Sequence, residues 1–142
     1  MKEEAMACQI RRVDYFKATV KDQPGEAYEL LSQLASLGVN LLAITLIPIG
    51  PMTTQMTLVP EDSLRLVNLA AKARLVLAGP QRALLVRGDD QLGALAEIHA
   101  KLAAARINVY ASNGVTDGEG HYCYIINVRA EDFDRAAKTL EV

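Results

Sequence analysis

The stretch Asp22–Asn40, DQPGEAYELLSQLASLGVN, occurs twice in this chain of 142 residues. The second copy, DQLGALAEIHAKLAAARIN, covers Asp90–Asn108 and follows 68 positions later without a gap. Seven of the nineteen residues are identical, and most other pairs exchange one apolar residue for another. Because self-similarity at a fixed spacing indicates a repeated structural unit, we interpret the chain as a duplication.

A second match is shifted by two further residues. Pro60-Glu61-Asp62 corresponds to Ala130-Glu131-Asp132 at an offset of 70. Between the two matches each half carries turn residues, at 47–51 in the first and 113–120 in the second. Since hairpin loops tolerate insertions, we expect the second hairpin loop to be the longer one.

The first repeat begins with a strand followed by a helix. Arg12–Val20 is rich in β-branched and aromatic residues, as half-buried strands are. Pro24 suits the first turn of a helix, and Asp22 or Gln23 could cap its free amides. Gly38 is the residue expected just past the helix end, where a left-handed conformation is needed.

The remaining elements complete the order strand, helix, strand, strand, helix, strand in each half. In the first half they are strands at 39–47 and 55–59, a helix opened by Asp62 and a strand at Leu75–Leu77. In the second half they are Ala83–Val86, a helix from about Gly93 to Ala105, strands near Ile107–Ala111 and Tyr122–Val128, and a helix from about Asp132. No residues remain for a last strand, and we interpret the unassigned stretch Ala7–Arg11 as filling that edge position.

This order predicts an α+β fold of two tandem ferredoxin-like (βαββαβ) units, with antiparallel sheets and helices on one face. We place the first unit, with its N-terminal strand extension, at residues 1–79. The second unit, which lacks a clear final strand, covers 80–142.

Composition narrows the function classes. Hydrophobic residues make up 51% and charged residues 23%, and no apolar run reaches the ~20 residues of a membrane span. We therefore expect a soluble, cytoplasmic protein without a membrane partner. A net charge of −2 without a basic stripe argues against nucleic acid. Cys8 and Cys123 are far apart and are expected to be free buried thiols, and no metal site or cofactor is predicted.

With these residues in view, the chain resembles a tandem ACT-domain protein over about residues 12–142. The specific part of the resemblance is Asp22, Pro24, Gly25, Gly38 and Asn40 at this spacing. The second copy keeps Asp90, Gly93 and Asn108 but departs from the pattern at Leu92 and Arg106. An altered or absent second site is therefore an open alternative.

The resemblance implies a regulatory module. ACT domains bind amino acids or other small metabolites where two units meet, and they change the state of an attached or associated enzyme. The ligand typically lies between the first strand-to-helix loop of one unit and the start of the second strand of its neighbour. Carried over to this chain, the predicted ligand-binding residues are Asp22, Gln23, Pro24, Gly25, Asn40, Leu41, Asp90, Gln91, Leu92, Gly93, Asn108 and Val109.

Elementary chemistry is compatible with such a site. A helix N-terminus offers free N–H groups and partial positive charge to a carboxylate, and glycine allows close approach of a ligand. The asparagines could meet an ammonium or a carboxylate, and the aspartates an ammonium. The alternatives are that Gly25 and Gly93 are turn residues only, that both asparagines bond local backbone, and that the aspartates cap the helices instead.

The leading hypothesis is a non-catalytic allosteric sensor of an amino acid, expected to form a homodimer through its sheet edges. The alternative is a regulatory subunit that acts mainly by contact with an amino-acid metabolic enzyme. An enzyme is not predicted, because the sequence shows no nucleophile–base constellation, phosphate-binding loop or metal-ligand spacing. His99 and His121 are expected to have packing or surface roles.

Overall fold

The computed structural model describes residues Cys8–Val142; Ala7 of the predicted N-terminal strand and residues 1–6 lie outside this range. The elements are β1 (Cys8–Lys21), α1 (Glu26–Ser36), β2 (Leu41–Pro48), β3 (Thr53–Pro60), α2 (Ser63–Ala73), β4 (Ala78–Asp89), α3 (Ala94–Ala104), β5 (Ala111–Thr116), β6 (His121–Asn127) and α4 (Phe133–Thr139), with a 3₁₀ turn at Ala130–Asp132. The strands form an antiparallel sheet in the order β2-β3-β1-β4-β6-β5.

The first compact unit comprises Asp14–Gln81. Its strand order is β2-β3-β1-β4, which is the order of a ferredoxin-like unit. Phe16 lies opposite Leu58 in the β1–β3 ladder, so both side chains lie on the same face of the sheet. Both helices pack on that face, and the buried residues of this core are Phe16, Ala18, Leu30, Leu34, Met56, Leu58 and Leu66.

The second compact unit comprises Arg82–Val142 together with the N-terminal part of β1, described from Cys8 to Val13. Its strand order is β1-β4-β6-β5, so this part of β1 stands where a final strand of the unit would be. Cys8 and Ile10 pack against the core of the unit. The buried residues of that core are Leu84, Val86, Ile98, Leu102, Ile107, Tyr122, Tyr124, Ile126, Val128, Phe133, Ala136, Ala137 and Leu140.

Arg12 ties the N-terminal strand to the last helix. Its Nη2 donates to an oxygen of Val142 at 2.9 Å, and its Nη1 lies 3.8 Å from Asp134 Oδ1. Arg82 approaches the same carboxylate at 3.1 Å, and its guanidinium lies 4.2 Å from the centroid of the Phe133 ring. These contacts hold the N-terminal part of β1 against α4. The sequence signals of the second unit did not assign this strand to it.

Three predicted strands were wrong in their limits. Leu75–Leu77 is not a strand, and the predicted strand at Ala83–Val86 is part of β4, which runs from Ala78 to Asp89. The second-unit strand predicted near Ile107 begins instead at Ala111. At Leu75–Leu77 and near Ile107 the prediction took an apolar run for a strand. Leu77 and Ile107 do contact the cores of their units, but the segments that carry them pair with no strand.

The two extra residues of the second repeat do not lie in its hairpin loop, as we had predicted. Each hairpin has four residues between its strands, 49–52 and 117–120. The ladders match at a constant offset of 68: Leu46 faces Met56, and Gly114 faces Tyr124. The insertion instead falls after β6, where the 3₁₀ turn Ala130–Asp132 precedes α4.

The helix ends also correct the sequence prediction. Gly25 and Gly93 are the N-cap residues of α1 and α3, and no side chain of the described residues caps either helix, so Pro24 precedes α1 and Asp22 does not cap it. Asp62 does cap α2, accepting from the Arg65 amide at 3.1 Å. Arg106 retains the left-handed conformation of its counterpart Gly38, with φ of 57° against 76°.

Candidate functional site

The two strand-to-helix loops that carry the repeated motif have the same backbone geometry. In the first, the Asp22 amide donates to Met52 O at 2.9 Å; in the second, the Asp90 amide donates to Gly120 O at 2.8 Å. Each loop is thereby held against the hairpin of its own unit. Gly25 and Gly93 have φ of 92° and 83°, a region that residues with a Cβ rarely adopt.

The start of α3 is open to a ligand. No side chain in residues 8–142 caps it, and Asp90 is exposed in the preceding loop. The Ala94 amide donates to Gln91 O at 3.1 Å, and the amides of Leu95 and Ala96 are left for a ligand. A Cβ added at Gly93 would meet no atom within 4 Å. Free amides and the positive end of the helix dipole favour a carboxylate at this position.

An open cleft of about 680 Å³ lies beside this helix start in the second unit. It is lined by three groups of residues: the loop and first turn of α3, the end of β5, and the start of β6. They are Asp90, Gln91, Leu92, Gly93, Ala94, Leu95, Gly114, Val115, Thr116, Tyr122, Cys123 and Tyr124. The structure thus places the four predicted loop residues Asp90–Gly93 around one cavity.

Tyr124 is held in place on the sheet beneath the cleft. Its hydroxyl shares a hydrogen bond of 2.7 Å with His99 Nε2, and the two rings lie 5.8 Å apart. Gly114 gives the ring its space, because a Cβ at that position would come within 2.8 Å of Tyr124 Cδ1. The tyrosine is 7% exposed, so this pairing satisfies a buried hydroxyl.

Tyr122 is also buried, with 6% of the residue exposed. Its hydroxyl has no hydrogen-bond partner among residues 8–142. Burial raises the pKa of this phenol above its usual value, and the nearby Cys8, Asp89 and Glu97 act in the same direction. The neutral hydroxyl is therefore a donor that lacks an acceptor among the described residues.

The predicted asparagines lie away from these loops within each unit. Asn40 precedes β2, and its side chain donates to Glu61 Oε2 at 3.4 Å at the far end of β3. Leu41 and Val109 pack against the cores of their units, and Asn108 is exposed. The structure therefore does not bring Asn40 to Asp22–Gly25, nor Asn108 to Asp90–Gly93, inside one unit.

The prediction from the repeated motif did not include several residues that line the cleft. Ala94, Leu95, Gly114–Thr116 and Tyr122–Tyr124 contribute to its walls. The sequence carried one signal for them, since two tyrosines alternate with Cys123 in a strand directly after a turn-rich segment. Their meeting with the start of α3 depends on strand register, which the repeat does not report.

The remaining reactive groups have local roles. Asp117 Oδ1 accepts from the amides of Glu119 at 2.6 Å and His121 at 3.1 Å, and these bonds lower the pKa of the carboxyl, helped by the His121 ring. Cys8 is half-buried, but Cys123 is exposed, which corrects the expectation of a buried thiol. No group of three or more His, Cys, Asp or Glu side chains in the described chain could hold a metal ion.

Comparison with known proteins identifies the fold. No family model and no curated protein sequence matches the chain. Among solved structures, protein BT0572 from Bacteroides thetaiotaomicron matches with a TM-score of 0.79 at 13% identity, over 93% of this chain and 88% of that one. The regulatory subunit of aspartate kinase from Thermus thermophilus matches with a TM-score of 0.61 at 19% identity, over 95% of both chains.

The match to the regulatory subunit extends over nearly the full length of both proteins. A structure of aspartokinase α and β subunits shares the fold in the same way, with a TM-score of 0.59 at 18% identity over 96% of each chain. At these identities the likeness establishes a shared fold. Among the helices of residues 8–142, none is long and apolar enough to cross a bilayer.

Proposed function

We propose that this protein is a non-catalytic regulatory sensor of two tandem ACT-type units, which binds an amino acid. The observation that carries the proposal is the cleft in the second unit, which is bounded by the uncapped start of α3 and the loop Asp90–Gly93. A free amino acid presents both a carboxylate and an ammonium. The α3 amides suit the carboxylate, and the Asp90 side chain, which lines the cleft, suits the ammonium.

The fold neighbours support a regulatory role. Two of them are described as a regulatory subunit of aspartate kinase or as aspartokinase subunits, and they match this chain end to end. We propose by analogy that this chain is likewise a separate regulatory protein acting on an enzyme of amino-acid metabolism in the cytoplasm. We also propose that a further ACT unit covers the second-unit cleft, so that the amino acid would lie where two units meet.

Regulation requires that the ligand distinguish two states. An amino acid that binds one arrangement of the protein better than another shifts the population by no more than that difference in affinity. In each unit the motif loop is hydrogen-bonded to its hairpin through Asp22 or Asp90. We propose that occupancy of the cleft is transmitted through this loop–hairpin contact.

A thermal-shift and calorimetric screen of the purified protein against the twenty amino acids tests the proposal. A ligand at a hundred times its Kd adds about 2.7 kcal/mol to the folded state, which corresponds to a rise in Tm of roughly 5–11 °C for a chain of this size. Gly93→Val should abolish the shift, because the side chain strains the loop at the helix start. Gly25→Val is the matched control in the first copy. The absence of any shift at millimolar amino acid would overturn the sensor.

A second candidate function is regulation mainly through protein contact, and strand β2 favours it. β2 is an edge strand, and Leu41–Pro60 contains no charged residue. Its exposed large apolar side chains, with those of the following turn, are Ile44, Leu46, Ile47, Ile49 and Met52, from 39% to 66% exposed. Edge strands without charges are suited to pairing with another chain.

We propose that the strand edge of β2 pairs with a second copy of this chain. A copy carries the same uncharged strand, so antiparallel pairing about a twofold axis meets no like-charge repulsion. Sedimentation equilibrium should show a dimer that Leu46→Lys converts to monomer, while Leu64→Lys on exposed α2 leaves it intact. If the wild-type protein is itself a monomer, the homodimer is overturned. An enzyme would then be the partner expected to pair with this edge.

A further inference from the structure

We infer that the carboxylate of Asp117 positions the motif loop of the second copy, by holding the hairpin turn to which that loop is bonded. The turn is 117–120, between β5 and β6, and the loop is Asp90–Gly93. Asp117 does not line the cleft, so it acts through the backbone. The inference concerns the protein without ligand, and only its regulatory consequence rests on the proposed function.

One peptide group joins the turn to the loop. Its carbonyl, Gly120 O, accepts from the Asp90 amide at 2.8 Å. Its N–H, that of His121, donates to Asp117 Oδ1 at 3.1 Å. Because a peptide group is planar and nearly rigid, fixing its N–H also fixes the direction of its carbonyl. The carboxylate therefore sets the position of the acceptor that holds the motif loop.

Further contacts hold the carboxylate in the turn. Its Oδ1 also accepts from the Glu119 amide at 2.6 Å, and its Oδ2 lies 3.1 Å from His121 Nδ1. The bonds from the two amides favour the ionised form, which lowers the pKa of the Asp117 carboxyl. Gly118 and Gly120, with φ of 75° and 95°, have no side chains that could stiffen the turn. The stiffness of this turn therefore depends on the Asp117 side chain.

The first copy bonds its loop to its turn in the same way but supports the turn differently. At the offset of 68, Ile49 stands at the position of Asp117, and Pro51 stands at the position of Glu119. Proline has no amide that needs an acceptor, and its ring fixes φ. The acceptor and one of its donors are thus replaced together, which indicates that they work as a pair in the second turn.

The two loops consequently have different kinds of support. A covalent ring restrains the first turn, whereas the second depends on hydrogen bonds to a side chain that is 47% exposed. Opening of the second turn can therefore change without any change in the core. In the proposed sensor, where the loop–hairpin contact transmits occupancy of the cleft, Asp117 sets how readily the second copy responds.

Amide hydrogen exchange, followed by NMR on the full chain without ligand, tests the inference. In Asp117→Ala the Asp90 amide should exchange about 3- to 10-fold faster, the value of one hydrogen bond. The Asp22 amide is the internal reference in the first copy and should be unchanged. Ile49→Ala is the matched control and should not alter exchange at Asp90. Equal acceleration at both amides, or none at Asp90, would overturn the positioning role.

Two further variants separate the position of the acceptor from its charge. Asp117→Asn keeps an oxygen in the same place without the charge, and it should restore most of the protection of the Asp90 amide. Asp117→Glu keeps the charge but moves the carboxylate outward by one methylene, and exchange should be faster than in wild type. The opposite order of these two variants would assign the effect to charge and overturn the inference. Because no ligand is present, failure of the amino-acid screen would overturn the sensor and leave this result standing.

Discussion

The two copies of the repeat share a backbone conformation but differ in the side chains next to the hairpin. In the second unit a polar pair, His99 and Tyr124, lies under the cleft, and Gly114 leaves room for the ring. In the first unit the corresponding positions hold Leu31, Met56 and Leu46. Duplication thus preserved hydrogen-bonded turns and core positions, while the surface between loop and hairpin diverged.

A second difference concerns the end of the repeated helix. Gly38 and Arg106 both adopt a left-handed conformation, and both helices close with equivalent backbone bonds, from Val39 to Leu34 O at 3.0 Å and from Ile107 to Leu102 O at 2.9 Å. The replacement of glycine by Arg106 therefore leaves the form of this helix end unchanged. Packing of the apolar residue that follows outweighs the local cost of a Cβ, which is on the order of 1 kcal/mol.

The largest expected effects are in the two cores. Leu34 and Leu102 occupy equivalent helix positions, and each is 1% exposed. Leu34→Ala and Leu102→Ala should each lower the free energy of unfolding by about 2–5 kcal/mol, since both leave a cavity. Urea titration followed by circular dichroism measures this, with the exposed Leu64→Ala as a control expected within about 0.5 kcal/mol of wild type. Unequal losses at the two positions would show that the cores are not equivalent.

His99→Leu introduces the first-copy residue into the second copy. It should cost about 1–3 kcal/mol, because the buried Tyr124 hydroxyl loses its partner. Combining it with Tyr124→Phe should recover most of the loss, since the unsatisfied group is then gone. Thermal unfolding of the two single variants and the double variant completes the cycle. A cost that persists in the double variant would assign His99 a packing role alone.

Exchange at the helix end should have a smaller effect. Arg106→Gly should raise the free energy of unfolding by up to about 1 kcal/mol, by relieving a left-handed residue with a Cβ. Gly38→Ala should lower it by a similar amount, and the new Cβ would also displace the Arg65 side chain, 2.7 Å away at Nη2. Differential scanning calorimetry resolves both changes. A stabilising Gly38→Ala would contradict the described conformation.

The smallest effect is expected at the hairpin turn, where Asp117 corresponds to Ile49. The ionised carboxylate accepts the turn amides, which lowers its pKa in the folded state. Its stabilising contribution is therefore complete above the ordinary value of 3.8 and is lost as the pH falls through the lowered folded value. Asp117→Ala should accordingly lower Tm at neutral pH and match wild type in strong acid. Ile49→Ala should show a difference from wild type that does not depend on pH in this range.

Much of the fold could be predicted from local signals. The repeated motif, the glycines at its turns and the helical spacing of apolar residues gave four helices in their correct order, and Asp62 was correctly identified as a cap. Signals of this kind act within a few residues, so one sequence is sufficient to read them. The strand limits at Ala78 and Ala111, and the place of the two-residue insertion, were not read correctly, because ladder pairing with distant strands sets them.

The candidate site divides in the same way. The sequence alone was enough to single out Asp90–Gly93, because a glycine between a strand and a helix is a local and recurrent feature. That Tyr122, Tyr124 and Gly114 line a cleft beside this loop follows only from the pairing of β5 with β6. Register and packing are long-range: each depends on contacts between residues far apart in the chain, and a single sequence does not report those contacts.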